Sequence, residues 1–220
     1  HQCRYCKLLF SYSYKYYINI INTIYKIMDT ILKVIDGVTT DRTVKSIINS
    51  LNENQEKSKD WLVEKSKKYF DFYDNPSIVV AAGWYGHLAN KLRKYTKGEI
   101  VTFDKDPRCK KIGQRLYKDI IFTESFVEDY DIKRFNIAVC TSCEHFEQKV
   151  LDNFLQRCKG KLVILQSNNY FLEVKGEKNE HINCSNSLEE FEKSLKLEKI
   201  LYKGTLKLDK FDRYMVIGTK

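Results

Sequence analysis

From Ser77 onward, short runs of β-branched and aromatic residues alternate with helix-patterned segments, a texture that few folds accept. Residues 78–82, 100–103, 119–122, 136–140 and 161–166 read as strands, and helices are expected over 86–95, 107–117 and 144–158. Strands alternating with helices connect by right-handed crossovers, which gives a mostly parallel sheet covered on both faces. The alternation stops near the end. After a helix expected over 187–195, residues 198–208 and 213–219 are both strand-like, separated by Asp209-Lys210-Phe211-Asp212, so they pair as an antiparallel hairpin.

Upstream the texture is helical, and the chain divides into an N-terminal helical segment, 1–75, and an α/β domain, 76–220. Ile18, Ile21, Tyr25, Met28, Ile31, Leu32 and Ile35 recur at three- and four-residue steps, an amphipathic helix closed by Gly37. Lys26, Asp29 and Lys33 interrupt that stretch, so it is neither a membrane span nor a signal peptide. A second helix starts at the Asp41 cap and carries Val44, Ile47, Ile48 and Leu51. A third carries Trp61, Leu62, Tyr69 and Phe70 and ends near Asn75-Pro76, where proline forbids continuation. Met28 reads as a natural start, with 1–27 as an extension that holds Cys3-x-x-Cys6, a pair too sparse to be read as half of a zinc knuckle. Seven irregularly spaced cysteines do not form a secreted disulfide framework, which points to the cytoplasm. The net charge of +9 suits a polyanion partner or a solvated lysine-rich surface. Lys57, Lys59, Lys65, Lys67 and Lys68 beside Trp61 and Tyr69 read either as a nucleic-acid-facing lid or as a solvated cap over a pocket.

The first strand of the α/β domain exits into Gly83-Trp84-Tyr85-Gly86. In open α/β sheets ligands sit beyond the carboxyl ends of the strands, and the first strand-to-helix turn brings backbone closest to them. Gly83 is expected to take the positive φ of a sharp turn, and Gly86 to let the next helix start close to a ligand. A plain turn whose aromatics cap the core reads equally well. Asp104, 21 positions beyond Gly83, closes the next strand where nucleotide folds place an acid for ribose hydroxyls, and Asp106 before Pro107 reads as a helix cap.

Residues 77–220 resemble the class I S-adenosylmethionine-dependent methyltransferases. The resemblance rests on Ala81-Ala82-Gly83-Trp84-Tyr85-Gly86, Asp104, Glu124-Ser125, Thr141-Ser142-Cys143-Glu144-His145 and the closing hairpin. It implies a Rossmann-like fold whose last strand inserts antiparallel, and S-adenosyl-L-methionine as the small-molecule cofactor. It implies a cofactor site of Ala82, Gly83, Trp84, Tyr85, Gly86, Asp104, Lys105, Glu124, Ser125, Thr141 and Ser142. Within it Gly83 and Gly86 approach the amino-acid end, Asp104 the ribose, and Glu124 or Ser125 the adenine. Ala81-Ala82 stands where that family usually carries an acid. The turn, the Trp-Tyr pair and Cys-Glu-His also look like methyltransferase-like proteins of tailed bacteriophages.

A sulfonium methyl is already activated, so such an enzyme chiefly aligns a nucleophile and takes its proton. The catalytic candidates are His145 as base, with Glu144 or Glu180 orienting it, and His181. Thr141, Ser142 and Glu144 read alternatively as ordinary dressing of a helix start, and His87 as a surface or capping residue. Cys140, Cys143, His145, His181 and Cys184 include zinc-ligand types, but Cys-x-x-Cys-x-His begins inside a buried strand, and no metal is assigned. Cys143 is the candidate nucleophile for a pyrimidine C5 reaction. No Asn/Asp-Pro-Pro-Tyr loop follows the fourth strand, which disfavours base-amine methylation and leaves an N or O nucleophile of a nucleic acid or small metabolite. Two rival classes remain: an NAD-dependent oxidoreductase, which requires an all-parallel sheet, and a non-catalytic nucleic-acid-binding module, which requires lysines gathered on one face.

Overall fold

Alternating side chains assemble the sheet from both sides. In β1 (Ile78–Ala81), Val79 and Ala81 join Phe103, Leu151, Phe154 and Phe191 on one face, while Ile78 and Val80 join Leu62, Phe70, Leu88 and Leu92 on the other. Both sets are essentially inaccessible to water, as a strand with two covered faces requires. The computed structural model describes residues 4–34, 41–171 and 181–220.

The chain forms two compact units, His1–Glu56 and Lys57–Lys220. The first holds α1 (Arg4–Val34), α2 (Asp41–Ser50) and the start of α3 (Glu53–Ser66). Along α1, Lys33 pairs with Asp29 one turn away at 2.6 Å, while Ile21, Tyr25, Met28 and Leu32 are exposed. Gly37, Cys3 and the Cys6 side chain lie outside the described residues. Among the described residues no helix is long and apolar enough to cross a membrane.

The second unit contains the remainder of α3, a 3₁₀ segment (Lys67–Phe72) that stops short of Pro76, and the α/β alternation. The order is β1, α4 (His87–Leu92), β2 (Ile100–Asp104), α5 (Pro107–Leu116), β3 (Ile121–Glu124), β4 (Ile137–Cys140), α6 (Gln148–Arg157), β5 (Leu162–Asn168), α7 (Leu188–Leu195), β6 (Lys199–Lys207) and β7 (Asp212–Thr219). The seven strands lie in the order β3-β2-β1-β4-β5-β7-β6. β1 to β5 pair in parallel, and β7 inserts antiparallel to both β5 and β6. That insertion is the departure from an all-parallel sheet that separates the expected fold from a dehydrogenase.

Two departures from the sequence pattern have a clear physical reason. β3 starts two residues late, because this edge strand is anchored by one buried side chain, Phe122, rather than by alternation. The helix expected over 144–158 breaks into a 3₁₀ turn (Cys143–His145) and α6, because Glu144 is drawn into the interior.

Phe122 is wedged between two glycines. A Cβ on Gly113 of α5 would meet the ring at 2.0 Å, and one on Gly86 would meet it at 2.5 Å. Alanine in a helix interior is worth about 1 kcal/mol over glycine, but overpacking against a ring held by backbone on both sides costs about 1–3 kcal/mol. Gly113→Ala should therefore destabilise the protein in urea unfolding, and Phe122→Leu in the same chain should recover part of that loss.

Candidate functional site

The sheet order reverses between β1 and β4, so their carboxyl ends flank the crevice where open α/β sheets bind ligands. The turn after β1 and the turn after β4 meet there.

The first turn is tied to β2 by backbone. Gly83 N–H donates to Phe103 O at 3.1 Å, and Gly86 N–H closes the turn on Gly83 O at 3.0 Å. Positive φ falls not on Gly83 but on Ala82 (49°), Trp84 (52°) and Gly86 (80°). Gly83 is needed for a different reason: a Cβ there would lie 1.9 Å from Thr102 Oγ1. Left-handed geometry at residues with side chains costs about 1–3 kcal/mol each and persists where the surroundings enforce it. Here the enforcing group is Asp104. Its Oδ2 accepts from Trp84 N–H at 3.1 Å, and its Oδ1 accepts from Asp106 N–H at 3.0 Å.

Burial raises the pKa of Asp104 above the ordinary carboxylate value; the N–H donors of Asp106 and Trp84 counteract it, and the Asp106 charge adds to it. A carboxylate offers about four acceptor positions, so lone pairs beyond these two bonds remain for ligand hydroxyls. Ala82, Gly83, Trp84 and Ser125 are half-buried at this edge, whereas Lys105 and Glu124 are exposed. Ser125 N–H donates to Asp104 O at 3.1 Å, tying the ends of β2 and β3 together. Tyr85 lies buried with its ring stacked on Trp84 at 5.7 Å. His87, expected at the surface, is buried, because its Nδ1 pairs with Tyr117 Oη at 2.6 Å. Asp106 caps α5 as expected, accepting from Arg108 N–H at 3.0 Å.

After β4, Thr141 and Ser142 are half-buried at the crevice, and Ser142 makes no side-chain cap. Glu144 is buried at 3% exposure. Its Oε1 accepts from Asn168 Nδ2 at 2.7 Å and from Arg213 Nη1 at 3.0 Å. Arg213 is itself 4% exposed and also donates to Thr141 O at 3.3 Å. The Glu144 carbonyl accepts from Ile182 and Asn183 N–H at 2.9 and 3.0 Å, which ties the segment at His181 to the 3₁₀ turn. The rings of His145 and His181 meet edge to face at 4.6 Å. Glu144, His145 and His181 thus stand together, but Glu144 directs Oε1 to Arg213 and Asn168 rather than acting as a simple helix-start acid. Glu180 lies outside the described residues.

None of the described cysteines joins this grouping. Cys140 is sealed within β4, and Cys143 Sγ points back to Cys140 O at 3.8 Å. Burial raises the Cys143 thiol well above its ordinary value and pushes Cys184 up to about 11, so neither is poised as a thiolate nucleophile. Arg213, which gave no functional signal by motif, is visible in the sequence as one cation opening an otherwise apolar strand. A cavity of about 540 Å³ opens at the opposite edge of the sheet, lined by Arg93, Thr96, Gly98, Glu99, Asp119 and Ile121, and holds none of the expected site residues.

No protein-family model and no curated protein matches the chain. Solved structures do. Magnesium protoporphyrin IX methyltransferase from Synechocystis PCC 6803, with bound SAH, superposes at TM-score 0.58 and 11% identity over 88% of this chain and 94% of that one. The [4+2]-cyclase SpnF superposes at 0.58 and 10% identity over 76% and 80%. YcgJ from Bacillus subtilis superposes at 0.56 and 12% identity over 72% and 97%. At such identities the likeness shows the fold: the seven-stranded sheet with an antiparallel β7 is the fold of the class I S-adenosylmethionine-dependent methyltransferases.

Two measurements probe this edge. Replacing one partner of a buried ion pair strands the other and costs about 3–5 kcal/mol, so Arg213→Met should lose that much in urea unfolding, and Glu144→Gln in the same chain should restore most of it. Asp104 binds its proton more tightly folded than unfolded, so its contribution is greatest below the ordinary value of 3.8 and declines as pH rises through the raised folded-state value. Unfolding free energy of the wild type minus that of Asp104→Asn should therefore fall over that interval and then level off.

Proposed function

We propose that the protein binds S-adenosylmethionine at the β1–β4 crevice and transfers its methyl group to an N or O nucleophile. The observation that carries the reading is the join between the β1 turn and Asp104, placed at the reversal of strand order. A carboxylate with acceptor capacity to spare at that point suits the paired hydroxyls of a ribose. The half-buried residues Ala82, Gly83, Trp84, Ser125, Thr141 and Ser142, at the ends of β1, β3 and β4, are the proposed contacts to the rest of the cofactor. The bound cofactor supplies the activated methyl, and the chain's own residues hold the adenosine, exclude water and place the acceptor. Ala81-Ala82 offers no acid to the cofactor's amino group, so the carbonyls of the β1 turn take that contact. Structures of this fold with bound SAH or SAM, such as that of the Synechocystis methyltransferase, support the choice of cofactor.

A second reading has one specific support. A [4+2]-cyclase shares the fold, and a fold does not dictate the reaction. Calorimetry separates binding from chemistry. Saturable binding of S-adenosylmethionine but not NAD is expected, weakened about 10- to 100-fold in Asp104→Asn, the size of a hydrogen bond to a charged group. Binding of NAD in its place would overturn the assignment.

A further inference from the structure

We infer that Glu144, His145 and His181 form a binding site for one divalent transition-metal ion, independent of methyl transfer. One ligand atom from each of the three lies within 4.8 Å of the others. The three come from separate stretches brought together by the fold: the 3₁₀ turn after β4 supplies Glu144 and His145, and the segment bonded to the Glu144 carbonyl supplies His181.

Two details point to a cation. Glu144 Oε2 is buried and has no hydrogen-bond partner, while Oε1 of the same carboxylate is held by both Asn168 and Arg213. A buried carboxylate oxygen without a partner is costly, and a metal ion shared by this carboxylate and the two imidazoles would supply one. His181 Nδ1 lies 2.7 Å from the Tyr170 carbonyl, which can only accept, so Nδ1 carries a proton and Nε2 is the nitrogen that would face a metal. A backbone carbonyl on the far nitrogen is the usual support of a metal-binding histidine. Asn168 and Arg213 do the same for the carboxylate.

The donor set selects among ions. Arg213 already shares the Glu144 charge and the imidazoles bring none, so hard ions that need several oxygen donors, such as Mg²⁺ and Ca²⁺, are poorly served. Two nitrogens and one carboxylate oxygen suit Zn²⁺, Co²⁺ or Fe²⁺. Bonds of about 2.0–2.1 Å set tetrahedral ligand atoms about 3.4 Å apart, and rotation of the two imidazoles at the rim closes the remaining distance. Three protein ligands leave a position for water or a substrate oxygen beside the β4 turn.

The test uses the full chain, freed of any affinity tag, titrated with ZnCl₂ by calorimetry. One Zn²⁺ per chain is expected, with affinity reduced at least about 100-fold in His145→Ala and in His181→Ala, and about 10- to 100-fold in Asn168→Ala. The two histidines sit at the rim, so unchanged melting of these variants without metal shows that folding is not the cause. Co²⁺ in place of Zn²⁺ should give a complex without the intense near-ultraviolet absorption of a thiolate ligand. No stoichiometric binding overturns the assignment. So does binding that survives both histidine substitutions, or that Cys184→Ser alone abolishes.

Discussion

A carboxylate and a guanidinium sealed from water under the edge of the sheet constrain everything around them. Taking each charge out of water costs several kcal/mol, which their attraction offsets only when geometry and further hydrogen bonds are right. Glu144 and Arg213 meet that condition through Asn168 and the Thr141 carbonyl. The pairing exists because β7 runs antiparallel to β5 with Arg213 opposite Asn168. A slip of one residue would turn Arg213 to the opposite face and leave Glu144 buried alone, so the pair penalises every register but this one. Burial of the same residue breaks the helix that its flanking sequence favours, and its backbone carbonyl anchors the segment bearing His181.

The parallel core was legible in advance. All five of its strands lie within two residues of where β-branched runs and their bounding turns place them, and the final hairpin was readable from two strand patterns with no helix between. What escaped depended on tertiary contacts between distant positions. Phe122 alone defines β3, and no local pattern marks a one-residue anchor. His87 looks polar on a helix start, yet its partner is Tyr117, 30 residues away. Arg213 and Glu144 are separated by 69 residues, and nothing local to either announces the other.

The turn after β1 was legible in its position but less so in its wiring. The two glycines mark the turn, although neither serves the expected purpose alone. Gly83 makes room for Thr102, and Gly86 combines left-handed backbone with room for the Phe122 ring. Close packing, as much as ligand approach, therefore explains small residues after β1. The Cys-x-x-Cys-x-His spacing was set aside in the sequence because it begins inside a buried strand; Cys140 is sealed within β4, and the imidazoles stand beside a carboxylate.

The bond from the Trp84 amide to Asp104 has a further consequence. A surface aspartate samples several rotamers and must surrender that freedom when a ligand arrives. Here the torsions are frozen during folding by two amides, one from the turn before it and one from its own loop. Any ligand bound there would meet an acid already aimed, and the conformational entropy of association would fall on the visiting molecule rather than on the protein.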